Sequence, residues 1–307
     1  MAGYNWSFQQ FTGYLKHLPW APKTLNPLIE QLMKACPDSC VFALGGHSVI
    51  LWLSPEIVAK VPLQEGDERL LHEHQMFELL SPLECAHIIQ CHLSRPNISF
   101  LELVPNGTLH DRICMVDEPR PVLRWMLQMA SAAAAFEAVG YAHGDINPQN
   151  ILLDNDDNLK LIDFDHALRI GEALDVGYEP YVRQHRDPSG GQFGRAGPVT
   201  DQFALGSVFW YMSRGSELYS ELDGPDQVDR MLDGIFPAVN VDDPVDCIIQ
   251  KCWAGQYPRV ADLVEAIESV MGGSAMAHSV VISTQKAELR RTCEMWYSQA
   301  IQRLRNL

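Results

Sequence analysis

The hydrophobic pattern of the chain changes near residue 105, and this change limits what the chain can fold into. Before it lie short β-branched and aromatic runs between turn residues, which predict strands: CVFALGG, SVILWL, EIVAKVPL and ISFLELVP. One amphipathic helix, GDERLLHEHQMFELLS, interrupts them. After residue 105 helical patterns dominate, including the nearly all-apolar TDQFALGSVFWYMSRG. We therefore expect an α+β protein of two lobes, a small sheet-rich N-lobe and a larger helical C-lobe.

Both ends of the chain carry helical patterns outside these lobes. Residues 1–39 form an aromatic-rich helical leader broken by prolines, and residues 273–307 contain a basic amphipathic helix. The N-lobe would then occupy residues 40–104 and the C-lobe residues 105–272. The final helix could bind a partner, and packing against the C-lobe is at least as good an interpretation.

Composition argues against several classes of function. The 307 residues include no run of about 18 uncharged apolar residues, and the chain lacks a secretory signal at its start. Eight scattered cysteines without paired metal-ligand spacing indicate reduced thiols. The net charge of −16 disfavours sequence-independent binding to phosphates of nucleic acid. We expect a cytoplasmic protein with no membrane and no nucleic-acid partner.

The stretch HGDINPQNILLDNDDNLKLIDFDHA, residues 143–167, carries the candidate chemistry. Asp145 is followed by Asn150 and then by Asp163, with two short predicted strands around an NDDN turn. Upstream, Lys60 ends the triplet VAK on a predicted strand. Transfer of a γ-phosphoryl group needs metal-binding groups, a cation on the phosphates and an acceptor for the nucleophile's proton. These residue types in this order indicate phosphoryl transfer.

With these residues the chain resembles the eukaryotic protein-kinase-like superfamily over about residues 40 to 270. HGD through Asn150 matches the pattern H-R-D-x-x-x-x-N, DFD matches D-F-G, and VAK matches V-A-I-K with one residue fewer. The resemblance implies a kinase that uses ATP and Mg²⁺. It makes Asp145 the catalytic base, and Asn150 and Asp163 the magnesium ligands.

The resemblance also implies residues that bind the nucleotide. Lys60 would contact the α/β-phosphates, with Glu73 as its ion-pair partner, although Glu68 and Glu78 lie on the same predicted helix. Gly45 and Gly46 would cover the phosphates. Leu101 would be the gatekeeper, and the backbones of Glu102 and Val104 would form the hinge. The residues around the adenine ring would be Val49, Ala59 and Leu152.

Two further matches lie in the helical half. Asp201, in TDQFALG, resembles the buried aspartate that braces the catalytic loop. YEP at 178–180 stands where Ala-Pro-Glu would be, and Arg259 stands where the ion-pair partner of that motif would be.

Several residues depart from the kinase pattern. Gly144 replaces an arginine that would clasp a phosphate, Asn147 replaces a lysine near the γ-phosphate, and Asp165 replaces a glycine. The loop ALGGHSVILWL lacks the full G-x-G-x-x-G. The segment 163–180 contains no Ser or Thr, so we predict no switching by Ser/Thr phosphorylation there.

The sequence leaves three functions open. The first is phosphoryl transfer to a hydroxyl acceptor, by resemblance a protein Ser or Thr. The departures at Gly144 and Asn147 also suit a kinase of small molecules. The incomplete glycine loop suits a pseudokinase, or a kinase fold repurposed for binding another ligand.

Overall fold

The computed structural model describes residues 4–115, 118–184, 190–272 and 283–306, without the side chains of 283 and 284. Residues 273–282, where the predicted C-terminal extension begins, lie outside the described residues. The chain divides into two compact units. The sheet unit takes the described residues up to 78, those from 89 to 103 and the last helix; the helical unit takes the rest. Strands concentrate in the first unit and helices in the second, so the predicted α+β class is confirmed.

The sheet unit is built on one five-stranded antiparallel sheet in the order β1-β2-β3-β5-β4. The strands are β1 (Cys40–Leu44), β2 (Ser48–Ser54), β3 (Ile57–Pro62), β4 (Cys91–Arg95) and β5 (Ile98–Glu102), with helix α3 (Glu68–Leu80) between β3 and β4. Sequence patterns predict all of these elements except β4. Its sequence, CHLSR, is too polar and short to show a strand pattern, which is common for the edge of a sheet.

The two faces of this sheet have different environments. Lys60 on β3 lies directly opposite Ile50 on β2 and Ser99 on β5, and opposed residues of antiparallel strands share a face. Their neighbours along each strand therefore point to the other face. That second face forms the core of the unit, with the following buried residues: Val49, Leu51, Leu53, Ala59, Val61, Ile98 and Phe100.

Three helices from the two ends of the chain cover this second face. They are α1 (Phe8–Leu15), α2 (Pro27–Ala35) and α10 (Ser283–Arg305). Leu289, Cys293, Trp296, Tyr297, Ala300, Ile301 and Leu304 of α10 recur at helical spacing and pack into the same core. The expectation that the final helix packs against the C-lobe is therefore wrong. An amphipathic pattern predicts that one face of a helix is buried, but it does not show which surface that face packs against.

Among the described residues, the helical unit contains six α-helices, with short strands between them. The helices that follow α3 are α4 (Leu109–Met115), α5 (Val122–Ala138), α6 (Pro198–Arg214), α7 (Gly224–Leu232), α8 (Pro244–Trp253) and α9 (Val260–Val270), and a 3₁₀ turn spans Ser81–Leu83. The strands are β6 (Tyr141–Ala142), β7 (Ile151–Leu153), β8 (Leu159–Leu161) and β9 (Leu168–Arg169), and a second 3₁₀ turn, Pro148–Asn150, precedes β7. The short helices α4 and α7 have no counterpart among the predicted elements.

Helix α5 holds the β7–β8 hairpin in place. The Gln128 side chain accepts a hydrogen bond from the backbone N–H of Leu159 at 2.9 Å, and the Trp125 indole donates to the carbonyl of Asp157 at 2.8 Å. Both side chains are fully buried. The loop before β7 and the segment after β8, which carry the candidate chemistry, are thereby anchored to a rigid helix.

Candidate active site

In the sheet unit, Lys60 and Glu73 form an ion pair. The Lys60 ammonium nitrogen lies 2.9 Å from Glu73 Oε1, and the side chains are 13% and 2% exposed. A carboxylate removed from water this completely needs an opposite charge or strong hydrogen bonds. The sequence predicts this pair, and the structure selects Glu73 over Glu68 and Glu78 as the residue in contact with Lys60.

A second polar contact joins α3 to the sheet beside this pair. The Nε2 of His74, the residue after Glu73, lies 2.9 Å from the hydroxyl oxygen of Ser99. Ser99 is fully buried and stands opposite Lys60 in the sheet register. Burial lowers the pKa of His74, so the neutral ring is favoured. Sequence reasoning missed this contact, because nothing local relates position 74 to position 99.

The register corrects two of the predicted adenine contacts. Val49 and Ala59 are fully buried on the face of the sheet opposite to Lys60, within the core beneath α1, α2 and α10. Val58 and Ile50 share the face of Lys60 instead, since Val58 is two residues away on the strand and Ile50 is directly opposed. The cause is the missing residue in VAK: one position along a strand reverses the side-chain direction.

The other nucleotide-binding candidates of the sheet unit lie at its turns and strand ends. Gly45 and Gly46 form the β1–β2 turn, where the N–H of Gly45 donates to the carbonyl of Ser48 at 2.9 Å. Leu101 is buried on the same face as Lys60, opposite Val58. The N–H of Glu102 donates to the carbonyl of Gln90 at 3.0 Å. Val104 and Leu152 belong to the helical unit, where Val104 is buried and Leu152 lies on β7.

In the helical unit, two amides hold the carboxylate of Asp145. Asn150 Nδ2 donates to Asp145 Oδ2 at 2.8 Å, and Asn147 Nδ2 donates to Asp145 Oδ1 at 3.0 Å. Both amide nitrogens also bond the Asp145 carbonyl, at 3.0 and 3.1 Å. Since the amide nitrogen of Asn150 points to Asp145, its oxygen is the atom left to bind a ligand. Asn147 is buried. It stands where the kinase pattern has a lysine, and its amide binds the carboxylate of Asp145. Sequence reasoning did not predict this contact.

The environment of Asp145 suits a proton acceptor. Burial, the largest cause, raises the pKa of Asp145 to about 6, and nearby Asp163 acts in the same direction. The amides of Asn147 and Asn150, and the charge of His166, act against this rise. A base whose pKa lies near the working pH combines a deprotonated resting state with a useful affinity for the proton.

Asp201 braces the backbone of this loop, as the sequence predicts. Its Oδ2 accepts the N–H of His143 at 2.9 Å, and its Oδ1 accepts the N–H of Gly144 at 3.2 Å. The side chain is buried, and burial raises its pKa to about 6. His143 in turn accepts the N–H of Asp145 on Nδ1 at 3.3 Å, so its Nε2 carries the hydrogen that bonds the carbonyl of Ile162 at 3.0 Å.

The structure gives a physical reason for glycine at position 144. Its φ is +77°, which residues with a Cβ rarely adopt, and a Cβ there would lie 2.9 Å from the carbonyl oxygen of His166. An arginine at this position would be strained whatever its side chain contacted. Glycine relieves this strain at the position where the pattern has arginine.

Asp163 lies in a strained backbone position after β8. Its φ is +68°, and the following Phe164 is fully buried against the rings of Phe136 and His143, with centroids 5.2 and 5.9 Å away. Such strain in a residue with a side chain persists only where the surrounding packing enforces it, and it is frequent at functional sites. Asp165 Oδ1 lies 3.7 Å from His166 Nε2.

The chain offers oxygen donors of the kind that magnesium prefers. Asn150 has an available amide oxygen, and Asp163 has a carboxylate. Among the described residues no group of three or more His, Cys, Asp or Glu side chains is arranged to hold a metal ion.

Arg259 forms an ion pair with Asp262 and not, as predicted, with the YEP segment. Its guanidinium lies 2.5 Å from Asp262 Oδ1, one turn further along α9. Glu179, the acid of YEP, has a buried Oε1 without a hydrogen-bond partner. The short i, i+3 separation favours Asp262, because pairing within one helix orders less of the chain.

Comparison with known proteins agrees with these motifs. The family model for the protein kinase domain matches residues 56–272. The Salt tolerance receptor-like cytoplasmic kinase 1 of Oryza sativa subsp. japonica is 28% identical over 285 residues, covering 78% of this chain and 78% of that protein. A putative serine/threonine-protein kinase/receptor of Acanthamoeba polyphaga mimivirus is 27% identical over 234 residues, which are 70% of this chain but 14% of the viral protein. The serine/threonine-protein kinase PknL of Mycobacterium tuberculosis is 22% identical over 217 residues, 66% of this chain and 54% of that protein.

None of the described helices is both long and apolar enough to cross a membrane.

Proposed function

Because the chain belongs to the protein kinase domain family, we propose that it is an active phosphotransferase that moves the γ-phosphoryl group of ATP to a hydroxyl acceptor with the help of Mg²⁺. The observation that carries the proposal is the state of Asp145. Its two carboxylate oxygens are held by Asn147 and Asn150, and burial raises its pKa to about 6. Burying a carboxylate costs stability, and a role as proton acceptor accounts for that cost.

Each candidate residue has a role in this reaction. Asp145 accepts the proton of the acceptor hydroxyl, and Asn150 and Asp163 hold magnesium through their side-chain oxygens. Lys60, kept in place by Glu73, binds the α/β-phosphates. When bound, the magnesium complex of ATP supplies the phosphoryl group and neutralises part of its charge. The side chains of this chain contribute orientation and proton transfer.

For the nucleotide base we propose a revised set of contacts. Val58 and Ile50, and not Ala59 and Val49, contact the adenine ring, because they share the face of Lys60. Leu152 remains a contact from the helical unit, Leu101 the gatekeeper, and the backbones of Glu102 and Val104 the hinge groups. Gly45 and Gly46 cover the phosphates.

We propose a protein Ser or Thr as the acceptor, on the strength of family membership and of relatives named serine/threonine-protein kinases. A small-molecule acceptor is the second candidate. It is favoured by Gly144, where the backbone would strain an arginine, and by Asn147, which replaces a cation near the transferred group.

ADP release tests the proposal. Purified protein with ATP and Mg²⁺ should release ADP, and Asp163→Ala and Asp145→Asn should abolish the release, while Asp226→Asn on the exposed surface of α7 should not. Equal background in all four proteins would contradict phosphoryl transfer and favour a pseudokinase. Transfer of label from γ-labelled ATP to a Ser/Thr peptide library, compared with transfer to a pool of hydroxylated metabolites, then decides the acceptor.

A further inference from the structure

A cysteine, a histidine and a tyrosine meet in the helical unit, away from the residues assigned above. Cys114 Sγ lies 3.7 Å from His110 Nε2 and 3.3 Å from the Tyr211 hydroxyl. The same hydroxyl lies 3.2 Å from His110 Nδ1. The three groups therefore form a closed ring of hydrogen bonds, in which each group contacts the other two.

The ring joins two helices, and its three members differ in their exposure to solvent. His110 and Cys114 lie one turn apart on α4, and Tyr211 lies on α6. Tyr211 is 2% exposed, His110 is half-buried, and Cys114 is exposed. The buried tyrosine fixes the positions of the other two groups, and the thiol faces water.

The hydrogens of the ring can run in either direction, because each of the three groups can both donate and accept. In the order that prepares the thiol, the Cys114 S–H donates to His110 Nε2, the N–H at Nδ1 donates to the Tyr211 oxygen, and the Tyr211 O–H donates to Cys114 Sγ. Burial, and then the bond to Cys114, raise the pKa of Tyr211, so its hydroxyl stays protonated and remains a donor. Glu217 acts in the same direction and Arg120 against it.

Moving one proton within this ring places the Cys114 sulfur between two hydrogen-bond donors. If the Cys114 proton passes to His110 Nε2, the sulfur becomes an anion that accepts two hydrogen bonds, from the imidazolium N–H and from the Tyr211 hydroxyl. The imidazolium keeps its second N–H bonded to the Tyr211 oxygen. A nucleophile beside a base that a third group orients is the arrangement that activates side chains for covalent chemistry.

We propose that Cys114 is a reactive thiol that small peroxides modify, with His110 as its base and acid and Tyr211 as the group that positions both. The Cys114 thiolate attacks one oxygen of hydrogen peroxide, the O–O bond breaks, and sulfur forms a sulfenic acid. The leaving hydroxide takes the proton that His110 holds and departs as water. Sulfur loses two electrons, and the peroxide gains them.

Two features favour a peroxide over other reagents. Its leaving hydroxide needs a proton, and the ring stores one on the nitrogen closest to the sulfur. A small oxidant also fits beside the Cys114 thiol, whose neighbour Tyr211 is buried. Cys247 serves as the comparison, because its Sγ donates to a backbone carbonyl, that of Val241 at 3.0 Å; it is half-buried, whereas Cys114 is exposed.

Dimedone trapping of sulfenic acid tests the proposal in the full chain. The protein is treated with hydrogen peroxide, and the initial rate of trapping is measured for the peptide of each cysteine by mass spectrometry. In the native protein Cys114 should react faster than Cys247 by about tenfold or more. His110→Asn should slow Cys114 by about tenfold or more, and Tyr211→Phe should slow it less, while the Cys247 rate is unchanged.

Either of two results overturns the proposal. One is a Cys114 rate within about twofold of the native rate in a folded His110→Asn protein. That result would show that His110 is not the base. The other is a native Cys247 that reacts as fast as Cys114, which decides the matter even if His110→Asn fails to fold. Thermal melting of each variant shows whether it is folded.

Discussion

Lys60 and Glu73 form an ion pair in which the carboxylate is almost completely buried, with 2.9 Å between Lys60 Nζ and Glu73 Oε1. Removing only the lysine leaves a buried charge without its counterion. We therefore expect Lys60→Met to destabilise the protein by about 3 kcal/mol in urea unfolding. The double variant Lys60→Met, Glu73→Gln should recover part of that loss, because it no longer buries a charge. Equal stabilities for the single and double variants would contradict this account of the pair.

The contact between His74 and Ser99 predicts a role in keeping α3 close to Lys60. Ser99→Ala removes the hydroxyl that bonds Nε2 of the half-buried His74. We expect a loss of about 1–3 kcal/mol in unfolding free energy and a lower kcat/KM for ATP, since Glu73 is the next residue on α3. Ser94→Ala is the control, because Ser94 lies opposite Ser99 in the sheet register but its hydroxyl bonds Cys91. A similar kinetic effect of both changes would refute the positioning role.

The glycine in HGD should be required by the backbone. Gly144→Ala combines a φ of +77° with a Cβ 2.9 Å from the His166 carbonyl oxygen. We expect this change to lower the free energy of unfolding by about 3 kcal/mol. Gly140→Ala provides a matched control, because its φ is +82° but a Cβ there meets nothing within 4 Å. It should cost about 1 kcal/mol, from backbone strain alone. Equal costs in chemical denaturation would show that the close approach to His166 is unimportant.

Buried His143 should make stability depend on pH. Burial lowers its pKa from 6.5 to about 4. Between these values the unfolded chain binds a proton that the folded protein does not, so His143 lowers stability as pH falls from 6.5 towards 4. Asp145 and Asp201 act in the opposite sense between about pH 6 and 4, because their raised pKa values make the folded state bind protons more tightly.

The stability difference between native protein and His143→Gln isolates the histidine contribution. Unfolding by urea at several pH values should show the native protein losing up to about 3 kcal/mol relative to the variant between pH 7 and 4. The contribution should be fully present above pH 6.5. A difference that does not change with pH would mean that His143 titrates normally in the folded protein.

Local spacing predicts the motif residues well, and long-range geometry is where prediction fails. Asp145, Asn150 and Asp163 can be found from the sequence because one loop and one hairpin carry them. The sequence does not predict the hydrogen bond from Asn147 to Asp145, because a residue that departs from a motif gives no sign of its new partner. Helix α10 packs on the sheet through contacts between opposite ends of the chain. The periodicity of either segment does not specify such contacts.

The one residue missing from VAK led the sequence interpretation to the wrong face of the sheet, and this difference can be measured. Val58 shares the face of Lys60, whereas its neighbour Ala59 is packed beneath the terminal helices. We expect Val58→Phe to raise the KM for ATP several-fold by crowding the nucleotide. Ala59→Val should instead cost about 1–3 kcal/mol in stability by overpacking the core, with little change in KM. ATP-dependent kinetics and urea unfolding of both variants check this. A change in KM with Ala59→Val alone would restore the original assignment.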